Sequence, residues 1–343
     1  SKDSLINGYA SGTGPYRLKK WVKNKYILLE KYNEYWRGWS DNNHFESILI
    51  QTISEASTRV QMIESGLADY AILLPIQLLS RLEHNPDVTV HFLPSWINHF
   101  FLMNTKKYPT DNIWIRRAIA SSMDRQTISE FVYKKTALEA EGLFPKNMPL
   151  FNKPDSLLPF DLAKANKFVE KSRLAKGDIS IDFSYVSTSE EYRLTSYMFL
   201  DNLRKIGIDV NLTPGIWSTI WDQAKHLDTA PNLISMAWWP TISSPSDWFF
   251  GLYGTQNPPI FNLSYYSNSK VDSLMQKGWE LENSFPEASS KIYKELQNIL
   301  IDDCIVIPGF DINVQSVYRS CIQGLKHNPA YSTIFVYNLS RKE

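Results

Sequence analysis

Short apolar runs alternate with helix-length amphipathic stretches twice along this chain, and that alternation constrains the fold more than any other feature. In the first run, residues 16–22 and 26–31 read as strands around the basic turn Lys23-Asn24-Lys25, and 45–53 as a further strand. Residues 54–66 have helical spacing, with Ser54 as N-cap and Gly66 as the terminating glycine. A buried strand at 71–74, a helix at 76–83 stopped by Asn85-Pro86, and a strand at 88–92 follow. The aromatic strand 97–104 leads to a helix at 111–123, and Asp124-Arg125 opens the next. Residues 142–160 carry Pro145, Pro149, Pro154 and Pro159 and read as an irregular surface connection. After a helix at 161–175, the second run is strand 179–186, helix 190–206, strand 208–212, helix 217–226 and strand 233–237. Helices at 269–281 and 286–303 precede a strand at 305–307 and an extended run at 313–318. Strands separated by helices pair in parallel through crossovers, so the class is α/β.

A chain of 343 residues suggests two domains at ~150 residues each. Lys+Arg and Asp+Glu both number 36, so there is no global charge to hold nucleic acid or an anionic membrane. A hydrophobic content of 43% excludes disorder for most of the chain. No stretch approaches the ~20 apolar residues that span a bilayer. The start, SKDSLINGYASG, is polar and has no charged-then-apolar leader. A cytosolic protein or one whose leader has been removed would both begin this way. Cys304 and Cys321 form neither a disulfide framework nor a metal cluster, although their spacing leaves one bridge open.

Catalytic patterns are absent. There is no G-x-S-x-G, P-loop or H-E-x-x-H. Ser267-Asn268-Ser269-Lys270 matches S-x-x-K, but its S-D-N and K-T-G companions are missing, and it reads as a capped helix start. Glu190 and Glu191 are adjacent on a helix and point apart. The histidines (44, 84, 91, 99, 226 and 327) never stand at i, i+4 ligand spacing, so no metal and no cofactor is expected. What stands out is 11 Trp, 18 Tyr and 17 Phe, an aromatic load that favours apolar recognition surfaces.

Several segments, in order, resemble a known family. Gly12-Thr13-Gly14-Pro15-Tyr16, a strand pair, and Asn33-Glu34-Tyr35-Trp36-Arg37-Gly38 resemble the conserved half of family 5 bacterial solute-binding proteins, the dipeptide, oligopeptide and nickel receptors of ABC importers. Ser65-Gly66-Leu67-Ala68-Asp69-Tyr70, Leu102-Met103-Asn104-Thr105 and Ile115-Arg116-Arg117-Ala118-Ile119 with Asp124-Arg125 and Val132-Tyr133 continue the likeness. Asn262, Tyr266 and Val271-Asp272-Ser273-Leu274-Met275 extend it. The resemblance implies a two-lobed periplasmic-binding-protein-like fold of type II, similar to cluster C, closing on its solute like a hinged trap. It places crossover strands near 97–104 and 313–318, lobe I at 1–98 plus 313–343, and lobe II at 99–312. Relatives carry a long segment before the Gly-Thr-Gly-Pro motif. The resemblance therefore implies an incomplete first lobe, in a truncated chain or the C-terminal part of a receptor.

The same resemblance directs attention to Trp238-Trp239-Pro240-Thr241-Ile242-Ser243-Ser244-Pro245. In peptide-binding relatives a Trp opens this stretch, and an aspartate three residues later pairs with the solute's α-ammonium. Here Thr241 takes that place and Ser244 replaces the acid before the proline, while Asp247 is the nearest carboxylate. Neutral solutes such as oligosaccharides stacked on Trp faces gain ground accordingly. As candidate ligand-facing residues we take Tyr185, Ser187, Thr188, Trp217, Trp238, Trp239, Thr241, Ser243, Ser244 and Asp247. Each also has a purely structural reading, as core aromatic, turn hydroxyl or helix cap. The implied activity is non-enzymatic: a peptide-like or other small solute is captured and delivered to the permease subunits of an ABC importer. Such a protein sits in the periplasm or at the cell surface and meets the membrane only through its permease or a lipid anchor. The ligand-sensing domain of a cytosolic transcription regulator is the alternative of a different class.

Overall fold

The computed structural model describes residues 12–40, 44–134, 136–175, 177–330 and 334–342. The polar start at 1–11 thus lies outside the described residues. Two compact units are present, one of Ser1–Leu93 with Val314–Glu343 and one of Pro94–Asn313.

In the first unit, strands β1 (Tyr16–Val22), β2 (Tyr26–Lys31) and β3 (Ser47–Gln51) form an antiparallel sheet in that order. Asn24, at φ 59°, takes the left-handed turn between the first two. Helix α1 (Ala56–Ser65) ends at Gly66, whose φ of 77° needs a residue without a Cβ penalty. The helix begins at Ala56 without a side-chain cap, although Ser54 was expected to cap it. Arg59 explains the shift: its Nη1 donates to the carbonyls of Ile53 (2.6 Å) and Ser54 (2.9 Å), tying down the entering chain. Strand β4 is only Tyr70–Ala71, because Leu73 turns to φ 54° and gives its carbonyl to Arg59. Helix α2 (Ile76–Glu83) completes the unit, whose core holds Val60, Ile63, Leu79, Leu82 and Val317.

Strand β5 (Val88–Met103) is continuous where two strands, 88–92 and 97–104, were expected. Pro94 lies within it, and a proline is tolerated in a strand where its missing N–H is not needed for pairing. After α3 (Ile113–Ser121) and α4 (Arg125–Phe131) comes the three-residue strand β6 (Ala137–Glu139), which is too short to leave a periodic signal. Helix α5 (Leu162–Ser172) leads into β7 (Ser180–Val186), α6 (Glu190–Lys205), β8 (Asp209–Gly215), α7 (Trp217–Ala224) and β9 (Leu233–Trp238). A helical turn at Ser246–Trp248 runs into a π-helical turn at Phe249–Tyr253. Helices α8 (Ser269–Leu281) and α9 (Pro286–Asp302) precede β10 (Val306–Arg319), again one strand where two were expected. Gly309 permits close pairing within it, since a Cβ there would stand 2.5 Å from the His99 carbonyl oxygen. The chain ends in the small pair β11 (Ile322–Gln323) and β12 (Ser340–Arg341).

The sheet order is β4-β10-β5-β9-β7-β8, with β6 also on β10. Strand β7 is parallel to both neighbours, and β5 is antiparallel to β9. From β7 the chain crosses one way to β8 and then back over β7 to β9, so right-handed crossovers put α6 and α7 on opposite faces. Strand β5 shows the resulting two-sided burial by alternation. Phe101 and Met103 join Ile119, Val169, Phe183, Phe199 and Phe310 on one face. Phe100 and Leu102 join Trp248, Phe249, Tyr293 and Leu296 on the other. His99 is fully buried on the first face, with Nδ1 2.9 Å from the Tyr133 hydroxyl and Nε2 2.7 Å from Ser235 Oγ. Its ring stacks on Tyr192 at 4.1 Å, and burial pushes it down to about 3, so it stays neutral. Both cysteines are free thiols, so the possible bridge is not formed.

Candidate functional site

Because β7, β8 and β9 are parallel, their carboxyl ends reach one edge of the sheet. Val186 lies opposite Gly215 there, and Asn98 of β5 lies opposite Trp238. Open α/β sheets commonly bind ligands at such an edge, where the loops leave the strands. Eight of the ten candidate residues fall on these strand ends or on the loops that follow them, whereas Trp217 opens α7 and Asp247 lies in the helical turn Ser246–Trp248.

The segment after β9 is the most built. Trp238 is half-buried, edge-on to Phe261 at 5.1 Å, and Trp221 stacks on the same Phe261 at 5.7 Å. Gly251 makes room for this, since a Cβ there would come within 2.9 Å of the Trp238 ring. Trp239, the next residue, leaves 56% of its surface exposed, and Ile242 leaves 52%. The Asp247 carboxylate gathers the loop. Its Oδ2 accepts from Trp238 Nε1 (3.0 Å) and from the Thr241 amide (3.1 Å), while Oδ1 accepts from the Thr241 hydroxyl (2.5 Å). Thr241 and Ser243 are exposed.

Ser244 points inward. Its Oγ donates to Glu282 (2.5 Å) and accepts the Ser246 amide (3.0 Å), and Tyr293 donates to the same carboxylate. Burial first, and Glu282 second, push the Tyr293 phenol well above its ordinary value, so it stays a donor. This buried knot ties the loop to α8 and α9. Ser244 is therefore a fastening within the loop, with its hydroxyl already committed.

After β7, Ser187 and Thr188 are exposed, and the Ser187 amide donates to the Gly215 carbonyl at 2.9 Å. Ser189 caps α6 by accepting from the Tyr192 amide at 3.2 Å. Glu190 pairs with Arg193 through two hydrogen bonds of 2.5 and 2.7 Å, which hold its carboxyl below the usual range. Tyr185 is buried, and that burial raises its phenol. Trp217 opens α7 half-buried against the second core face.

Two groups near this edge were not singled out from sequence. Asn98 accepts from Trp248 Nε1 at 2.8 Å and donates to the Leu143 carbonyl at 3.1 Å, bracing the base of the loop. Trp221 is the helical i+4 neighbour of Trp217, a spacing that would have flagged it. On β10, the neighbour of β5, Asp311 accepts from the Lys146 amide at 3.1 Å through Oδ2. Its buried Oδ1 has no hydrogen-bond partner among the described residues. Burial pushes this carboxyl up to about 7, against the pull of Lys146 and with help from Glu141. Among the described residues no group of three or more His, Cys, Asp or Glu is placed to hold a metal ion, and no helix is long and apolar enough to cross a membrane.

Residues 1–259 match the family of bacterial extracellular solute-binding proteins, family 5, in its middle portion. The chain belongs to this family. Among curated proteins it is similar to the glutathione-binding protein GsiB of Salmonella choleraesuis, with 24% identity over 308 residues, 88% of this chain and 59% of that protein. GsiB of Escherichia coli K12 matches at 23% over the same share. The chain thus spans about 59% of the length of these relatives. Among solved structures, the dipeptide-binding protein of Pseudoalteromonas sp. SM9913 in complex with Met-Leu superposes with a TM-score of 0.85 at 21% identity, over 96% of this chain and 64% of that one. The periplasmic binding protein DppA of Helicobacter pylori, in complex with the peptide STSA, gives 0.87 at 20%, over 100% of this chain and 65% of that one. At these identities the structures speak for a shared fold, that of two-lobed periplasmic binding proteins.

Proposed function

We propose that this chain is the solute-capturing part of a receptor that feeds an ABC importer. It would take a peptide-like solute at the carboxyl edge of β7, β8 and β9 and hand it to the permease subunits. Membership of the family over residues 1–259 carries this reading. Solved neighbours named for bound peptides support the class of solute. The protein is a binder rather than an enzyme in this reading, and it works outside the cytoplasmic membrane, in the periplasm or at the cell surface.

Within the edge, exposed Trp239 and Ile242 would cover apolar solute side chains, while Thr241, Ser243, Ser187 and Thr188 offer hydroxyls to its backbone. Trp217, Trp238 and Asp247 support that surface from beneath, and Tyr185 and Ser244 fasten it. Thermal unfolding against peptide, oligosaccharide and nickel-chelate panels tests the reading. A solute bound only by the folded state raises the midpoint, by an amount that grows with the logarithm of its concentration relative to its Kd. Stabilisation by peptides alone supports the proposal; stabilisation by sugars or chelates alone refutes it.

A further inference from the structure

Among the described residues, Asp311 is the only acidic side chain that is buried. It lies on β10 just past Gly309, the glycine that meets the His99 carbonyl. The carbonyl of Ile312, next along, accepts from Ser95 Oγ of β5 at 2.5 Å. Asn98 of β5 already stands opposite Trp238, the last residue of β9, so residues 95–97 run on past the end of that strand. Asp311 therefore belongs to the carboxyl edge of the sheet, although no solute contact is asked of it.

What Asp311 holds is the turn Pro145-Lys146-Asn147. Phe144 and Met148, on either side, are buried in the second core face and pin the ends of the turn. Lys146 and Asn147 are exposed. Two hydrogen bonds tie them to the strands: the Lys146 amide donates to Asp311 Oδ2 at 3.1 Å, and Trp96 Nε1 donates to the Asn147 carbonyl at 3.3 Å. Only the first involves a group that can change its charge. A negative charge on Asp311 would have this single neutral donor, because the buried Oδ1 has no partner among the described residues. The cation of the turn is already engaged, with Lys146 Nζ on Glu141 Oε1 at 2.8 Å and Lys153 Nζ on Oε2 at 2.9 Å. Glu141 itself adds repulsion. On β6, Asp311 pairs with Leu138, and Glu139 leans toward Arg125 at 3.7 Å. Residues 95–98 of β5 carry no ionisable side chain.

We propose that Asp311 is a proton-operated latch for the 145–147 turn: the neutral carboxyl fastens the turn to β10, and the ionised one lets it lift. Lifting exposes the carboxylate to water while Phe144 and Met148 keep the flanks in place. The inference goes beyond the receptor reading and does not depend on which solute the edge takes. Burial pushes the carboxyl up to about 7 when the turn is closed, against the 3.8 of an open, solvated aspartate. The fastening is therefore complete below pH ~4 and is lost as pH rises through about 7.

Amide hydrogen exchange of the full chain at pH 5.5 and 8.5 tests this, with protection at Lys146 taken relative to the unstructured rate at each pH. In the unaltered chain that protection should fall about 30-fold from the lower pH to the higher. Asp311→Asn keeps an acceptor for the Lys146 amide and never ionises, so its protection should change by less than about 2-fold. Glu141→Gln leaves Asp311 in place, removes the repulsion and frees Lys146 Nζ, so the loss should move to lower pH. Unchanged protection in the unaltered chain, the same loss in Asp311→Asn, or a midpoint that stays put in Glu141→Gln overturns the inference. So does an equal loss, at the same exchange rate, in the amides of β7, which would mean that the whole unit unfolds rather than the turn.

Discussion

Replacing Asp311 by asparagine should make the protein less sensitive to pH between about 4 and 7. The Asp311 carboxyl is buried on β10, with Oδ2 on the Lys146 amide and Oδ1 without a partner among the described residues. Burial raises it from 3.8 to about 7 in the folded chain. Since the unfolded chain gives up this proton first, the folded state is favoured most below pH ~4 and loses that advantage as pH rises through about 7. The gap of roughly three pH units corresponds to about 4 kcal/mol. Asparagine is never ionised, so the variant lacks this loss. It does bury an amide whose N–H groups lack an evident acceptor, which costs about 1–3 kcal/mol at every pH. The net expectation is a variant less stable than the parent by about 2 kcal/mol at pH 4 and more stable by about 2 kcal/mol at pH 8.5. Denaturant unfolding at both values reads this directly, because the pH-independent amide cost cancels from the difference between them. Parallel pH profiles for parent and variant would refute the reasoning.

Further expectations follow from other buried groups. His99, held neutral at about 3, should cost the folded state about 3 kcal/mol between pH 7 and pH 4, since the unfolded chain protonates first. His99→Gln should flatten that acid limb in a thermal-unfolding series, and an unchanged slope would contradict the assignment. Cys304 is buried with its thiol pushed up to about 12, whereas Cys321 is half-buried. A colorimetric thiol titration at pH 8 should therefore find Cys321 reactive in the native chain and Cys304 only after unfolding. Gly251→Ala would push a Cβ to within 2.9 Å of the Trp238 ring. It should displace the indole from Asp247, shift tryptophan emission and weaken solute retention several-fold; unaltered retention would mean the Trp238 position is irrelevant to binding.

The regular parts of the fold were legible because their signals are local. Amphipathic spacing marked α8 and α6, and apolar runs marked β7 and β9. Strands β5 and β10 were each read as two pieces because the apolar runs 88–92 and 97–104, and 305–307 and 313–318, stand apart in the sequence. In the sheet, Gly309 lets two backbones approach closely, since a Cβ there would stand 2.5 Å from the His99 carbonyl oxygen, a relation no local pattern carries. The candidate site divides the same way. Its strand ends follow from the alternation, whereas the clasp of Asp247 on Thr241 and Trp238 forms across an irregular loop with no period. Likewise, Ser244 is a fastening only because Glu282 and Tyr293 arrive from two later helices.

The central claim is that this chain captures peptides, and the solute carried by the protein from its native source tests it most directly. Protein purified without denaturation, then unfolded, should release peptides close to one per chain in mass spectrometry of the low-mass fraction. Release of an oligosaccharide or a metal chelate in that stoichiometry, with no peptide, would contradict the account.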